Sequence, residues 1–277
     1  MTTSISEPQM RPSFPVFNGL NIEIEARIRS VENSVSRFPA LTLPIIRCAI
    51  GKIDSTIVND FSYAQLIFSS GVGMPSLRLK IDDGLALKTY FEKAADWYSG
   101  KKVPVLEKLW EKREIKLSCY KYDDKDTPVR LSMSIEERVQ NTGIIAKEVG
   151  TIVDPCTCQK INSALLRLRE LTPKNLIKVC RSGYLTPTFR YIRRQTMQEK
   201  DVGFNLDISM TRTVVGDIVP DPSRLPPYVY EIEYELRDPH VDAYERSTKM
   251  LQRARDLSYS LLWGNRKNLS NKRFASV

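Results

Sequence analysis

A closed antiparallel β-barrel with flanking helices, an α+β fold, is the architecture this sequence predicts, and three observations predict it. Near the start, Asn21-Ile22-Glu23-Ile24-Glu25-Ala26-Arg27-Ile28-Arg29 alternates apolar and charged side chains without a break. Near the end, Tyr230-Glu231-Ile232-Glu233-Tyr234-Glu235-Leu236 does the same. Between them lie strand candidates whose alternate positions are Arg and Lys, as in Leu77-Arg78-Leu79-Lys80-Ile81. Period-2 alternation puts like residues on one face of a strand. Charge on one face of strand after strand suits a closed sheet whose charged face turns inward. About eight strands leave room for one small ligand inside.

The first glutamate strand, over about 20–29, carries Glu23 and Glu25 on one face. The last carries Glu231, Glu233 and Glu235 on one face. Same-face neighbours lie roughly 6–7 Å apart at a strand rise of about 3.3 Å per residue. Five carboxylates on two strand faces repel one another unless a cation joins them. Hard oxygen donors suit Mg²⁺ or Mn²⁺. One Glu-x-Glu strand is commonly a solvated sheet face; two, one near each end of the domain, are less ordinary.

The remaining elements follow in chain order. Residues 1–18 are Ser-, Thr- and Pro-containing without periodicity and read as an arm, with the folded domain over 19–264. Residues 31–70 are mixed, and Ser62–Phe68 reads equally as a strand or a short helix. Gly71-Val-Gly-Met-Pro75 turns the chain into 77–81, and Asp82-Asp83-Gly84 turns it out again. Residues 85–98 space Leu87, Tyr90, Phe91, Ala94, Ala95 and Tyr98 along one side of a helix. Residues 105–121 read as a basic strand around Trp110–Leu117, with Lys112 and Lys116 on it; a solvated basic face is the alternative. A polar turn at Asp123–Asp126 leads to a strand over 129–139. There Arg130, Ser132, Ser134 and Glu136 share one face, opposite Met133 and Ile135. A helix over 160–182 is expected to break at Pro173. Strands follow at 189–196 and 204–210, then a helix over 242–263 that Gly264 can cap. The basic stretch within 265–277 reads as a tail able to attract RNA non-specifically.

Composition excludes several classes. With 277 residues, 42% hydrophobic and 27% charged, the chain reads as one sizeable domain or two small ones, and no apolar run of 18 or more exists. The start has no basic n-region and no apolar stretch, so no secretory signal is expected. A net charge of +9 favours polyanionic partners such as RNA or nucleotides. Five cysteines form no disulfide framework, and Cys156-Thr-Cys158 lacks the second pair a zinc site requires. The single histidine, His240, is followed by no cysteine, which removes a thiol mechanism of phosphate transfer; no Gly-x4-Gly-Lys-Ser/Thr loop appears either.

Four motifs, in order over about residues 20–236, resemble the tunnel-type RNA 5′-triphosphatases, metal-dependent mRNA-capping enzymes of fungi, protists and some large DNA viruses. Glu23-Ile-Glu-Ala-Arg27 resembles the family's first glutamate strand, and Arg130-Leu-Ser-Met-Ser-Ile-Glu136 its central Arg-x-Ser-x-x-x-Glu strand. Asp207-Ile-Ser209 is similar to its Asp-x-Thr strand, and Glu231-Ile-Glu-Tyr-Glu235 to its final glutamate strand. The resemblance implies a triphosphate tunnel in which Glu23, Glu25, Glu231, Glu233 and Glu235 hold Mg²⁺ or Mn²⁺. Arg78, Lys112 or Lys116, Arg130 and Arg194 would clamp phosphates. Glu136 would orient the attacking water, and Asp207 would support the basic side chains.

Two positions depart from the pattern. The family carries a Lys-x-Arg pair on the 189–196 strand. Placing Arg194 there leaves Ile192 at the lysine, and the alternative turns Arg190 and Arg193 inward past a bulge. Asn205 stands where an arginine often precedes the Asp.

The implied substrate is the 5′-triphosphate end of nascent mRNA, with nucleoside triphosphates as substrates in vitro. An RNA guanylyltransferase is the candidate partner, no membrane is involved, and the location is the nucleus, or a viral factory or virion for a viral protein. A tunnel-fold inorganic or nucleoside triphosphatase is the alternative, and a catalytically silent RNA-binding subunit of a capping complex is the reading of a different class.

Overall fold

The computed structural model describes residues 21–28, 43–51, 53–141, 153–199, 203–237, 239 and 242–274. The expected arm over 1–18 and His240 lie outside them. Eight strands close into one barrel: β1 (Asn21–Ile28), β2 (Ser55–Ser69), β3 (Ser76–Ile81), β4 (Glu114–Asp123), β5 (Val129–Arg138), β6 (Thr186–Glu199), β7 (Phe204–Val215) and β8 (Val229–Leu236). Their order around the barrel is β1-β5-β4-β3-β2-β6-β7-β8. Every neighbouring pair is antiparallel, and β1 closes the ring by pairing with both β5 and β8. The expected closed antiparallel barrel is what forms. Its closure brings the two glutamate strands side by side, with Glu25 opposite Glu235 and Arg27 opposite Glu233.

The barrel wall is polar inside and apolar outside. Ile24, Leu66, Phe68, Leu77, Leu79, Leu131, Met133 and Ile135 point away from the axis and are buried beneath covering elements. Each such side chain contributes about 1.5–3 kcal/mol relative to exposure. The covering elements are α1 (Leu43–Ile50), α2 (Gly84–Tyr98), α3 (Pro104–Glu111), α4 (Pro155–Glu170), α5 (Pro173–Arg181) and α6 (Ala243–Phe274). No helix among the described residues is long and apolar enough to cross a membrane.

Local chemistry sets the helix ends. Asp83 caps α2 by accepting from Leu85 N at 3.0 Å, and the helix buries Tyr90, Ala94, Trp97 and Tyr98. Asp154 caps α4 and Thr172 caps α5, each followed by proline at the first helical position. Pro173 therefore divides the expected 160–182 helix as anticipated.

Residues 105–111 correct the basic-strand reading: Pro104 starts a helix there that buries Leu106, Leu109 and Trp110 at helical spacing. Trp97 of α2 meets Trp110 edge-on at 5.8 Å and donates to Glu107 at 3.1 Å, which fixes α3 against α2. The basic strand begins only at Glu114. Helix α6 runs on to Phe274, through the segment expected as a tail. Arg255 on α6 bonds Asp124 in the β4–β5 hairpin at 2.8 Å. Arg246 donates to the carbonyls of Gly203 and Arg237, where a Cβ at residue 203 would crowd its guanidinium.

Candidate functional site: a charged tunnel

The barrel encloses a cavity of about 840 Å³. Antiparallel register and the pleat decide what lines it. From β1 come Glu23, Glu25 and Arg27; from β3, Arg78 and Lys80; from β4, Glu114, Lys116 and Lys121; from β5, Arg130 and Glu136; from β6, Arg190 and Arg194. Asp207, Glu233 and Glu235 share the inward face of their strands but lie behind this first layer: Asp207 is 2% and Glu233 3% exposed.

The charges interlock. Lys116 Nζ stands among three carboxylates, in close contact with Glu23, 3.1 Å from Glu136 and 3.6 Å from Glu25. Arg78 reaches Glu136 at 3.3 Å, so two cations from different strands grip that carboxylate. Arg27 bridges the glutamate strands, touching Glu233 and lying 3.5 Å from Glu25. Arg194 bonds Asp207 at 3.0 Å, donates to Ser209 at 3.2 Å and lies 3.6 Å from Glu233. Arg190 pairs with Glu231 at 2.7 Å.

Burial and neighbours set the protonation of these acids. Glu25 is pushed up to about 7, first by burial and then by Glu233. Glu235 is also raised to about 7, by burial and by Asp207 and Glu25. Neutral Asn205 stands directly across from Glu235, so β7 offers it no cation at that position. Burial acts upward on Glu233 too, but Arg27 and Arg194 outweigh it and hold that carboxyl low. Desolvation dominates at Arg78 and lowers its pKa.

The structure brings most sequence-predicted site residues to one place. Glu23, Glu25, Glu136, Arg78, Lys116 and Arg194 meet in the cavity, with Glu233, Glu235 and Asp207 behind. Glu231 lies farther along β8, tied to Arg190 and to the Thr211 hydroxyl at 3.3 Å. Arg130 faces inward at the hairpin end, where Asp123 accepts two bonds from it at 2.5 and 2.8 Å. Lys112 is outside: it caps the C-terminus of α3, exposed, and takes no part in the tunnel.

The register of β6 is settled without a bulge near the arginines. Arg190, Ile192 and Arg194 face inward together, and Arg193 faces out toward Asp60 at 3.8 Å. Ile192 is 1% exposed yet stands apart from the main core, beside inward Tyr63.

Several tunnel residues were missed by sequence reasoning. Arg27 was legible as the period-2 partner of Glu25. Tyr63 and Gln65 were not, because β2 carries apolar residues on both faces.

The donor chemistry fits a divalent cation. Glu23, Glu25, Glu233 and Glu235 offer hard oxygens on two adjoining strands. Glu233 Oε1 is buried against Arg27 yet accepts no aligned hydrogen bond. Among the described residues no three carboxylates already form a closed metal shell, because Lys116 and Arg27 stand between them.

No protein-family model matches the chain, and no curated protein matches it in sequence. Solved structures do match. The mimivirus capping enzyme triphosphatase, in its triclinic structure, aligns with a TM-score of 0.50 at 12% identity over 87% of this chain and 91% of that one. The RNA triphosphatase domain of a trifunctional mimivirus mRNA capping enzyme gives the same values. The S. pombe Pct1 RNA triphosphatase aligns over 91% of this chain and 83% of that one, at 13% identity and a TM-score of 0.35. The likeness to the two mimivirus structures shows a shared fold, the eight-stranded tunnel.

Proposed function

We propose that this tunnel-fold protein is a metal-dependent mRNA 5′-triphosphatase, hydrolysing pppRNA to ppRNA and phosphate as the first step of capping. One observation carries the reading: carboxylates of the adjoining first and last strands meet arginines and lysines from four other strands on the inward face of one closed barrel, around its cavity. The fold shared with the mimivirus capping enzyme triphosphatase points the same way.

Hydrolysis of a terminal phosphoanhydride asks the protein for charge neutralisation and for placement of water in line with the leaving group. Glu23, Glu25, Glu233 and Glu235 would hold the divalent ion. When bound, Mg²⁺ or Mn²⁺ supplies neutralising charge and fixed geometry at the phosphate oxygens. Arg78, Lys116 and Arg194 are positioned to exchange carboxylate partners for phosphate oxygens, and guanidinium forks match that geometry.

Glu136 is gripped by Arg78 and Lys116, which orients its carboxylate at the cavity wall. From there it can accept a hydrogen bond from the attacking water and direct it toward the γ-phosphorus. Asp207 holds Arg194 in place. Arg130, already committed to Asp123, serves the entrance.

A guanylyltransferase partner and a nuclear or viral-factory location belong to this reading as its consequences. A triphosphatase acting on a non-RNA substrate uses the same charges, and a silent RNA-binding subunit uses none of the chemistry. Phosphate release from pppRNA, a nucleoside triphosphate and tripolyphosphate, each with and without EDTA, separates the three. EDTA-sensitive release favouring pppRNA supports the proposal. Preference for tripolyphosphate selects the second reading, and no release from any of them the third.

A further inference from the structure

The tunnel is not symmetric end to end. On β2 the cavity lining runs from Tyr63 to Ser70 and on into the β2–β3 hairpin; on β6 it runs from Thr186 to Arg194. Both strands continue the other way, to Ser55 and Glu199, without lining it. Where the β2 lining ends, Phe61 stacks on Tyr63 at 5.4 Å, with Lys80 Nζ 4.9 Å from the Tyr63 ring centre. Along β2 and β6 the cavity therefore reaches out at the hairpin end, while β3 and β4 line it as far as Lys80 and Glu114 at the other end.

That end has its own chemistry. Ser69 pairs with Thr186, so hydroxyls replace the interlocked charges of the interior. Gly71 and Gly73 hold positive φ, and Val72 between them is 92% exposed on the rim. A β-bulge lies between Ser118 and Tyr120 of β4. Bulges re-aim side chains. This one shifts the alternation by one residue, so Lys121 joins Ser118 in lining the cavity. Lys121 is exposed and, among the described residues, has no carboxylate partner, whereas neighbouring Arg130 is committed to Asp123.

We propose that the nucleic-acid part of the substrate leaves the tunnel past the β2–β3 hairpin, and that Lys121 holds the first internucleotide phosphate there. This rests on the triphosphatase reading and deepens it. Lys121 would then distinguish an RNA chain from a free nucleotide, which has no such phosphate. A lone ammonium is a point charge suited to a phosphodiester of any sequence, and the hydroxyl and glycine side of the rim, on the β2–β3 hairpin, accommodates ribose and base without reading the base.

The test measures Mn²⁺-supported binding of two hydrolysis-resistant probes: a short single-stranded RNA with a β,γ-imido triphosphate end, and β,γ-imido guanosine triphosphate. Lys121→Ala should weaken the RNA about fivefold, the scale of one exposed ion pair, and leave the nucleotide unchanged. The salt slope for RNA should become shallower by about 0.7, the share of one phosphate contact on a single strand. Val72→Glu, a rim substitution at an exposed site, should also weaken RNA alone.

Unchanged RNA affinity in both variants, or equal loss for both probes in Lys121→Ala, overturns the inference while the triphosphatase reading stands. Wild-type protein that binds neither probe overturns both.

Discussion

Replacing Lys116 by methionine removes the ammonium at the centre of the tunnel while nearly keeping its side-chain volume. Lys116 is in contact with Glu23, Glu25 and Glu136, and its side chain is 12% exposed. Without it, carboxylates from β1 and β5 face one another across a partly desolvated space. Breaking a fully buried ion pair costs about 3–5 kcal/mol; access to the cavity reduces that here to about 2–3 kcal/mol. For a domain of this size each kcal/mol shifts Tm by about 2–4 °C, so the metal-free variant should melt about 4–12 °C below wild type.

The same carboxylates lose their competitor for a divalent ion. Mn²⁺ should therefore raise the variant's Tm more than it raises that of wild type. Turnover should not recover, because a charge on the phosphates is gone; a loss of about 10²-fold or more is expected. Thermal melts with EDTA or Mn²⁺, beside phosphate release from pppRNA, read both effects. An unshifted metal-free Tm, or equal Mn²⁺ stabilisation of the two proteins, would refute the electrostatic reasoning.

Glu136→Gln keeps shape but loses charge and basicity. It should still bind Mn²⁺ and a triphosphate by calorimetry, with single-turnover phosphate release reduced by about 10²-fold or more; lost Mn²⁺ binding would move Glu136 into the metal shell. Arg78→Ala should cost on the order of 10²-fold in rate. Lys112→Ala, outside the tunnel, should leave rate and Tm at wild-type values, and a large rate loss there would contradict its placement at the end of α3.

What could be read from the sequence was governed by how cleanly each strand alternates. β1, β3 and β8 place charge on every second residue, so their inward faces were visible before any fold was known. β2 was not: Phe61, Tyr63 and Ile67 face inward while Ala64, Leu66 and Phe68 face out, which erases the period-2 signal. Lys112 misled because Trp110–Leu117 spans the end of a helix and the start of a strand. Pro104 and the Leu106, Leu109, Trp110 spacing were the signals of α3, outweighed by the run of charges.

Lys121 could not be placed from spacing, because the bulge before it changes which residues face inward. Arg194, or Arg190 and Arg193 past a bulge, were the inward candidates on β6 until its pairing with β7 put Arg190 and Arg194 on the tunnel face and Arg193 outside. The pairing of Arg27 with Glu233 and of Lys116 with three carboxylates depends on the order in which strands close, and local pattern does not contain that order.

Metal-dependent removal of the γ-phosphate is tested most directly at the RNA end itself. RNA bearing a labelled 5′-triphosphate is incubated with wild-type protein and with the Glu25→Ala and Glu233→Ala variants, in Mg²⁺, Mn²⁺ or EDTA. Wild type should release the γ-phosphate as inorganic phosphate and leave a 5′-diphosphate end in either metal. No release is expected in EDTA, and none from either folded variant. Full activity in EDTA, near-normal rates in both variants, or an RNA end left as triphosphate by the wild-type protein would contradict it.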